Sequence, residues 1–457
     1  MPAQYDAELI RAHDVNGPRY TSYPTALQFD EAFDGSRFQA AVSALPAGAP
    51  ISLYMHVPFC DTICYYCACN KIVTNNRAHA ERYLGRLCRE MALHGAALPH
   101  DHEVQQLHFG GGTPTYLSDE QFAHLFAELA ARFNLIDTPE RDYSIEIDPR
   151  TVDAQRIEHL ASLGLNRLSL GIQDFDPRVQ QAVNRLQSEA DTAAIIDAAR
   201  SNGFGSISVD LIYGLPLQTP AGFRTTLERV ITLAPDRLSI YSYAHLPQRF
   251  KTQRQINDAD VPDADTKLKL LTTAVETLTE AGYVYIGMDH FARPEDPLTL
   301  ALRDGSLHRN FQGYTTHGQC DLIGMGVSAI SSVSGVYAQN AKTLNEYFDS
   351  IDQGRLAIER GVVSTAEDLI VRDAIHTLMC TFELNINAFE TRHNITFTDY
   401  FATALHQLTP MQSDGLVEID AERIRVTDRG RYLIRNICMA FDRYLPGHSE
   451  QRFSRAI

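Results

Sequence analysis

Short apolar runs alternate with amphipathic helical patterns through most of the chain. Runs typical of buried strands lie at 51–57, 105–109, 143–147, 167–172, 206–211 and 237–242. Helical patterns occupy segments between them, at 78–97, 118–133, 190–202 and 219–233. Strands that alternate with helices in this way pair in parallel, so the pattern predicts an α/β fold of six or seven βα units. A barrel, a partial barrel and a doubly wound sheet are all compatible with it.

The two ends of the chain depart from this alternation. Residues 1–50 show no regular period, and the Pro-, Gly- and Tyr-rich stretch at 17–26 predicts an extended arm. From about residue 365, helical stretches at 365–380 and 396–408 precede a β-hairpin at 415–420 and 423–427 and a last helix at 428–443. We therefore expect an N-terminal arm (1–50), a central α/β domain (51–360) and a small, mostly helical, winged-helix-like C-terminal domain (361–457).

Polar and glycine-rich residues follow the predicted strands at the points where they end. A cysteine cluster follows the first strand, and the later strands are followed by GGGTPT (110–115), EIDP (146–149), GIQDF (171–175), DLIYGLP (210–216) and SYAHLP (242–247). The carboxyl ends of parallel strands meet at one edge of a sheet, where α/β proteins bind their ligands. This edge is the predicted functional site.

Charge and hydropathy exclude several classes of function. The formal net charge of −17 argues against a non-specific nucleic-acid binder, which needs basic surface to displace counterions. No apolar run approaches the roughly 18 residues of a membrane span, and the acidic first residues do not resemble a signal peptide. We therefore expect a cytoplasmic protein, in which clustered cysteines serve metal or redox chemistry rather than disulfides.

The segment HVPFCDTICYYCACNK (56–71) holds four of the eight cysteines: Cys60, Cys64, Cys67 and Cys69. One interpretation is a structural zinc site, although zinc usually takes four ligands and would need a second pair elsewhere in the chain. The other is an iron–sulfur cluster held by three thiolates. A four-iron cluster with three cysteines leaves one iron open to bind a substrate or cofactor such as S-adenosylmethionine.

The spacing Cys60-x3-Cys64-x2-Cys67 after the first strand resembles the signature of the radical S-adenosylmethionine superfamily. Further ordered segments, among them YMHVPFC, GGGTPTYL, IEIDPR, RLSLGIQDF, DLIYGLP, HRNFQGYTT and DLIGMGVSAIS, are similar to the oxygen-independent coproporphyrinogen III oxidases, also called coproporphyrinogen dehydrogenases. The resemblance covers about 17–335 and 433–445. It implies a partial (β/α)6-type radical SAM barrel as the catalytic domain over 51–360.

The resemblance also implies cofactors and site residues. One [4Fe–4S] cluster is expected on Cys60, Cys64 and Cys67, with Cys69 outside the ligand set, together with two S-adenosylmethionine molecules. Positions that match the family's cofactor contacts are Tyr54, Tyr66, Gly111, Gly112, Thr113, Glu146, Gln173, Arg185, Asp210, Ala244 and Ile330. Catalytic roles are implied for Tyr54, Glu146, Phe311, Gln312 and Ile330. Because the substrate carries propionates, Arg19, Lys71 and Arg309 are hypothetical substrate contacts.

The implied reaction converts two propionates of coproporphyrinogen III to vinyl groups, giving protoporphyrinogen IX in haem biosynthesis. A 5′-deoxyadenosyl radical would start it, and a flavodoxin- or ferredoxin-like protein would donate the electron. We expect a monomer that binds neither nucleic acid nor membrane. The alternative is a haem-binding chaperone-type paralogue without oxidase activity; Cys69, the arm at 17–25 and the HRNFQGYTT segment favour the oxidase.

Overall fold

The computed structural model describes residues 7–13, 15–99 and 101–445. Its helices are α1 (Ala7–His13), α2 (Gly35–Ser43), α3 (Ala78–Ala97), α4 (Asp119–Arg132), α5 (Ala154–Ser162), α6 (Pro177–Ala182), α7 (Glu189–Ser201), α8 (Pro220–Leu233), α9 (Ala264–Glu280), α10 (Pro297–Asp304), α11 (Leu344–Asp352), α12 (Ala366–Thr381), α13 (Ile386–His393), α14 (Phe397–Tyr400), α15 (Ala402–Ser413) and α16 (Ile434–Met439).

The strands are short, and most belong to one sheet. They are β1 (Ile51–Val57), β2 (Phe59–Cys60), β3 (Ile72–Val73), β4 (Glu103–Gly111), β5 (Asn134–Leu135), β6 (Asp142–Ile147), β7 (Arg167–Gln173), β8 (Ser206–Tyr213), β9 (Arg237–Ser242), β10 (Val284–Gly287), β11 (His290–Ala292), β12 (His308–Asn310), β13 (Gly313–Thr315), β14 (Asp321–Met325), β15 (Ile330–Val333), β16 (Val336–Asn340), β17 (Ile358–Val363), β18 (Glu383–Asn385), β19 (Val417–Ile419) and β20 (Arg423–Val426).

The chain forms two compact units, each built from segments that are distant in sequence. The barrel unit combines 28–262 with 319–363. The C-terminal unit combines residues before 28 with 263–318 and the chain from 364 onward. The division at 363/364 lies close to the boundary predicted at 360/361, whereas the central segment 51–360 contributes to both units.

Six parallel strands form the main part of the barrel unit. Their order in the sheet is β9-β8-β7-β6-β4-β1, and a helix lies between each strand and the next in the chain. On the other side of β1 the sheet continues through parallel β14 and then antiparallel β15, β16 and β17. The six predicted strands and the (β/α)6 arrangement are therefore confirmed.

Along the parallel strands, fully buried apolar side chains alternate with side chains on the other face of the sheet. In β1, Leu53, Met55 and Val57 are fully buried, while Tyr54 between them is part-exposed. In β7, and in β8 as far as Leu211, buried apolar residues likewise alternate with part-exposed small or polar ones. Because successive side chains point to opposite faces of a strand, one face of the sheet packs in the core and the other carries polar groups.

The N-terminal segment is less irregular than predicted. Residues 17–25 contain no helix, as expected, but α1 precedes them and α2 follows them within the first 50 residues. The Asp34 carboxylate caps α2 by accepting from the Ser36 amide at 2.9 Å, and Phe38 and Val42 bury its apolar face. A single cap and two apolar positions stabilise this short helix, although they show little periodicity in the sequence.

The hairpin predicted near the C-terminus is present and is extended by a third strand. β19 and β20 pair antiparallel as expected, and β18 adds to the other side of β20. The helix predicted over 428–443 is shorter, with a 3-10 turn at Gly430–Leu433 followed by α16. After Met439 the backbone bonds span three residues, as from Phe441 to Cys438, so the α-helix ends there. The helix predicted over 396–408 divides into α14 and the longer α15.

Within the described residues, none of the helices is both long enough and apolar enough to cross a membrane.

Candidate functional site

A row of polar side chains crosses the polar face of the six parallel strands. Tyr54 of β1 lies opposite His108 of β4, and His108 lies opposite Ser144 of β6. Further along, residue pairs across the sheet include Glu146 with Ser169, Gly171 with Asp210, and Asp210 with Ser239. The register of the sheet therefore brings together Tyr54, Glu146 and Asp210, three of the residues predicted from the sequence.

Tyr54 is connected to the segment that holds the cysteines. Its ring stacks on that of His108 with centroids 5.8 Å apart, and its hydroxyl lies 3.0 Å from Nδ1 of His56. The other His56 nitrogen lies 3.0 Å from the Asn70 carbonyl oxygen. Burial lowers the pKa of His56, which favours a neutral ring that donates to Asn70 and accepts from Tyr54.

Two residues of β4, His108 and Gly111, hold the Glu146 carboxylate. The Gly111 amide donates to its Oε2 at 3.2 Å, and His108 Nε2 lies 3.3 Å from its Oε1, while His108 Nδ1 lies 2.6 Å from the Ser144 hydroxyl. Its recessed position acts to raise the pKa of Glu146, but the hydrogen bonds from His108 and Gly111 outweigh this and lower the pKa overall. Almost half of the side-chain surface is exposed, so the carboxylate is accessible to a ligand.

The pKa of the Asp210 carboxyl is shifted in the opposite direction from that of Glu146. Burial, followed by the charge of Glu146, raises the pKa of the Asp210 carboxyl to about 6, although the Ser169 hydroxyl donates to it at 3.1 Å. Two carboxyl groups on one polar face therefore have pKa values that are pushed apart. Near neutral pH Glu146 is ionised, and Asp210 lies close to its titration range.

The cysteine loop (residues 60–71) follows β1 and is fixed by hydrogen bonds from several elements. The Asn184 side-chain amide donates to Ile63 O at 2.8 Å, and the Tyr65 amide donates to Val183 O at 3.0 Å. Gln253, 1 % exposed, donates to Tyr66 O at 3.1 Å and to Ala244 O at 3.2 Å. The last contact brings the predicted residues Tyr66 and Ala244 together through one buried side chain.

The three predicted ligand thiols lie among donors and positive charges. Cys64 Sγ accepts from Arg185 Nη1 at 3.5 Å and from Arg150 Nη2 at 3.6 Å, and Cys60 Sγ accepts from the Thr113 hydroxyl at 3.5 Å. A hydrogen bond from Cys69 lowers the pKa of the Cys67 thiol to about 6, against the effect of burial. Thiolates are the ligands of iron–sulfur clusters, and donors of this kind stabilise them, so the residues fit the cluster that the sequence implies.

The zinc interpretation is not supported by the donor geometry. In the part of the chain that the structure describes, no group of three His, Cys, Asp or Glu side chains converges on a point that one metal ion could occupy. A tetrahedral zinc site needs such convergence. In a four-iron cluster each thiolate binds a different iron atom, so the sulfurs of Cys60, Cys64 and Cys67 need not share one point.

The glycines of the GGG segment are explained by packing of the protein itself. Gly111 has φ +118°, and a Cβ there would lie 2.7 Å from the His56 ring. A Cβ at Gly112 would lie 2.7 Å from the backbone of Pro58 and Phe59. These glycines therefore allow β4 to end tightly against the start of the cysteine loop. Their lack of side chains does not by itself indicate a ligand.

The side chains of Gln173 and Arg185 both lie close to Gly171, near the end of β7. Arg185 Nη2 donates to Gly171 O at 2.6 Å, and its Nη1 lies 3.1 Å from Asp148 Oδ2. Gln173 has φ +66°, a left-handed conformation that is uncommon for residues other than glycine and recurs at functional sites. The Nη1 group of Arg185 also donates to Cys64 Sγ, so Asp148 and Cys64 share one donor group.

Ile330 lies at the β14 side of the sheet. A Cβ at Gly324 would lie 2.8 Å from the Ile330 carbonyl carbon, so the backbones of β14 and β15 approach closely at this point. Gly324 is the residue opposite Tyr54 in the register of β1 and β14. Ile330 is thus placed near the Tyr54 end of the polar row.

The other predicted residues divide between the units. Lys71 belongs to the cysteine loop and donates to Cys67 O at 2.9 Å. Arg19, Arg309, Phe311 and Gln312 belong to the C-terminal unit. There Arg19 lies 3.2 Å from Asp289 Oδ2, and Arg309 is 5 % exposed with its guanidinium 4.8 Å from the centroid of the Tyr314 ring.

The β12–β13 hairpin contains donors that are buried without partners. In the described part of the chain, Nε and Nη1 of Arg309 and Nε2 of Gln312 have no hydrogen-bond partner. An unpaired buried guanidinium is costly, and such groups are usually explained by a ligand or an ion. This observation gives Arg309 and Gln312 a physical indication of function that is independent of any resemblance.

A surface cavity of about 840 Å³ has Arg150 among its lining residues. Arg77, Tyr116 and Arg156 are among its other lining residues, and the cavity contains none of the site residues predicted from the sequence.

Five further residues of the site lie outside the set predicted from the sequence: His56, His108, Ser144, Ser169 and Arg150. The first four occupy alternate positions on strands whose other positions are apolar, so period-two polarity would have identified them. Arg150 follows Asp148 and Pro149 in the IEIDPR segment. Its contact with Cys64 depends on how the cysteine loop folds back, and no local pattern indicates it.

Comparisons with known proteins show which family the chain resembles. Residues 54–230 match the Radical SAM superfamily, and residues 364–433 match the HemN C-terminal domain. The chain is 51 % identical over 457 residues to an oxygen-independent coproporphyrinogen III oxidase of Pseudomonas aeruginosa, with 99 % of each chain covered. It is 49 % identical over 454 residues to the protein of that name from Escherichia coli, covering 99 % of this chain and 98 % of that one.

A solved structure supports the same relationship. It is described as the coproporphyrinogen III oxidase (HemN) from Escherichia coli, a radical SAM enzyme, and matches with a TM-score of 0.93 at 48 % sequence identity. The match covers 97 % of this chain and 100 % of the other.

Proposed function

The chain belongs to the oxygen-independent coproporphyrinogen III oxidase family, and we propose that Cys60, Cys64 and Cys67 hold the [4Fe–4S] cluster with which it works. It is a radical SAM oxidoreductase of haem biosynthesis that oxidatively decarboxylates coproporphyrinogen III. The observation that carries the cluster assignment is the anchored cysteine loop, whose sulfurs lie among hydroxyl and guanidinium donors. These comparisons give no support to the haem-binding alternative.

The cofactors supply the radical that removes hydrogen from a propionate, and the protein positions them. Glu146 is ionised and accessible, so it would accept hydrogen bonds from the ammonium or ribose hydroxyls of S-adenosylmethionine. Asp210 offers a second acceptor on the same face. Two carboxylates at separate positions support two cofactor molecules. Their contacts are assigned to Tyr54, Tyr66, Gly111, Gly112, Thr113, Glu146, Gln173, Arg185, Asp210, Ala244 and Ile330.

Among these positions, Arg185 is proposed to contribute to the cofactor site indirectly. Its Nη1 and Nη2 groups already donate to Asp148, Cys64 and Gly171. We assign it to the wall of the cofactor site, where it fixes Cys64 and the end of β7. Phe311, Gln312, Tyr54, Glu146 and Ile330 keep the proposed catalytic roles.

Arg309 is proposed to bind a propionate of the substrate. Its two unpartnered donors lie in a unit that also contains Arg19 and His290. Burial, followed by the charges of Arg309 and Arg19, lowers the pKa of His290. A substrate carboxylate that accepts from either of these donors would offset the cost of burying the guanidinium. Gln312 Nε2, also unpartnered, offers a neighbouring donor. Arg19 and Lys71 remain weaker candidates because each already has a partner.

The substrate proposal is tested with Arg309→Met, with the exposed Arg303→Met as control. We expect the KM for coproporphyrinogen III to rise about 10-fold or more in the first variant and to stay unchanged in the second. Without substrate, Arg309→Met should be at least as stable as the parent, because it removes a buried charge with two unsatisfied donors. An unchanged KM, or a loss of stability without substrate, would show that Arg309 has a structural role only.

Several further features complete the proposal. We infer a cytoplasmic enzyme, since all eight cysteines are free and iron–sulfur thiolates suit a reducing compartment. The net charge of −17 favours a protein that binds no nucleic acid. We also propose a monomer that receives its electron from a flavodoxin- or ferredoxin-like protein and acts on two propionates of one substrate molecule.

The cluster assignment is tested by the iron and sulfide bound after anaerobic reconstitution. We expect about four iron atoms per chain in the parent and in Cys69→Ser, and marked loss in Cys60→Ser, Cys64→Ser and Cys67→Ser. Cys69 is a close control because it lies in the same loop and contacts Cys67. Iron retention in any of the three ligand variants would refute the assignment of that cysteine.

A further inference from the structure

The chain contains the tripeptide Asp-Pro-Arg twice, and both copies form the same self-paired turn. At 148–150, the Arg150 amide donates to Asp148 Oδ1 at 3.1 Å and its Nη2 to Asp148 Oδ2 at 2.6 Å. At 176–178, the Arg178 amide donates to Asp176 Oδ1 at 2.9 Å and its Nη2 to Asp176 Oδ2 at 2.8 Å. The turn itself therefore accounts for the aspartate–arginine pair in both places.

The two arginines differ in what else they contact. Arg178 is 69 % exposed, and its described side-chain hydrogen bonds are those to Asp176. Arg150 is 18 % exposed, and its Nη2 also lies 3.6 Å from Cys64 Sγ and 3.3 Å from the Thr62 hydroxyl. The additional contact with a cysteine sulfur is not required by the turn.

From this difference we infer that Arg150 raises the reduction potential of the cluster through its hydrogen bond to Cys64. The inference rests on the proposed function, in which Cys64 is a ligand of the cluster. Arg150 acts on the cluster through the sulfur of Cys64, so it is a positioning residue and not a catalytic one. No contact of Arg150 with substrate or S-adenosylmethionine is needed.

The physical reason is the charge that reduction adds. A one-electron donor places one more negative charge on the cluster and its thiolates. Hydrogen bonds and positive charge at the ligand sulfurs stabilise that charge and raise the potential. In a mostly buried setting this electrostatic effect is weakly screened, which favours Arg150 over an exposed arginine.

Asp148 keeps Arg150 directed at the sulfur. Its carboxylate lies between two guanidinium groups, that of Arg150 and that of Arg185, which is 3.1 Å from Oδ2. Both guanidiniums donate to Cys64. The Asp148 carboxylate offsets one of the two guanidinium charges, so one net positive charge remains beside the sulfur. Because Arg185 belongs to the proposed cofactor site, Arg150 gives the cleaner test.

The experiment measures the midpoint potential of the reconstituted cluster in the full-length protein. Anaerobic titration with dithionite, which supplies the electron, is followed by electron paramagnetic resonance of the reduced cluster. The variants are Arg150→Met, which removes donor and charge at similar length, and Arg150→Lys, which keeps the charge with a single donor group. Arg178→Met is the matched control from the second copy of the turn.

We expect the midpoint potential of the cluster to be lower in Arg150→Met than in the parent. The potential of Arg150→Lys should lie between those of the parent and Arg150→Met, and that of Arg178→Met should equal the parent's. Iron content should be equal in all four proteins. An unchanged potential in Arg150→Met at full iron content would overturn the inference and leave the cluster assignment intact. If the parent protein itself gave no cluster signal after reconstitution, the proposed function would fail instead, and the inference with it.

Discussion

The Gly111 amide donates a hydrogen bond to Glu146 Oε2 at 3.2 Å. The contact joins the end of β4 to β6, and His108 lies 3.3 Å from the other carboxylate oxygen. Backbone and side chain therefore fix one acceptor in a defined orientation on the polar face. Preorganisation of this kind reduces the entropy cost of holding a cofactor.

Replacing His108 by Phe should weaken S-adenosylmethionine binding by about 3- to 10-fold, because it removes a donor that orients Glu146. The effect acts through Glu146, so Glu146→Gln and the double variant His108→Phe/Glu146→Gln should bind equally weakly. Equilibrium binding to the reconstituted protein provides the double-mutant cycle. Strictly additive losses would mean that His108 acts independently of Glu146. His124→Phe, at a position on α4, is the control.

Affinity for S-adenosylmethionine should depend on pH through Asp210. Burial, and then the charge of Glu146, raises the pKa of its carboxyl to about 6, so the carboxylate becomes neutral as the pH falls through that value. A neutral carboxyl is a poorer acceptor for ammonium or hydroxyl groups, and binding should weaken below about pH 6. Asp210→Asn should bind weakly at every pH between about 5 and 8, without this transition.

The exposed Asp197→Asn variant serves as control and should keep the parent's pH dependence. Persistence of the same transition in Asp210→Asn would assign it to another group.

Glu90 should make the stability of the barrel unit depend on pH. It is fully buried, and it accepts hydrogen bonds from Tyr347 at 2.6 Å, Gly326 at 2.7 Å and Asn340 at 2.6 Å. Burial raises the pKa of Glu90 to about 7, although these hydrogen bonds act to lower it. A raised pKa means that the folded state keeps a proton that the unfolded state has lost. The stabilising contribution is therefore complete below about pH 4.5 and is lost as the pH rises through about 7.

Glu90→Gln keeps a neutral side chain of the same shape, so its stability should not show this loss. Relative to the parent, its free energy of unfolding should increase by about 2 kcal/mol between about pH 5.5 and pH 8. Denaturant unfolding at both pH values measures the difference. Glu81→Gln, at an exposed position of the same helix, should show no such change. A constant difference between Glu90→Gln and the parent would contradict the assigned pKa.

The sequence predicted the parts of the fold that local pattern determines. β1 has the predicted bounds 51–57, and the other five parallel strands agree within about two residues, because apolar runs between helices are strong signals. Period-two polarity within those runs also indicates that His56 and His108 lie on the polar face. The signal was present in the sequence.

Other features depend on long-range packing and could not be predicted from local pattern. Residues 263–318 join the C-terminal unit although they follow the barrel strands directly in the chain. The unpartnered donors of Arg309 and the contact of Arg150 with Cys64 exist only once distant segments have packed. The composition of the cysteine cluster, by contrast, was visible at once, because three thiols within eight residues have few structural explanations.

The most direct test of the account is turnover of coproporphyrinogen III by anaerobically reconstituted protein supplied with reductant and S-adenosylmethionine. Product is followed as protoporphyrin fluorescence after oxidation, in the parent, in Cys64→Ser and in Cys88→Ser, whose cysteine lies outside the cysteine loop on α3. The account predicts protoporphyrinogen IX from the parent and from Cys88→Ser, and none from Cys64→Ser. Undiminished product from Cys64→Ser would contradict the claim that this cysteine loop carries the reaction.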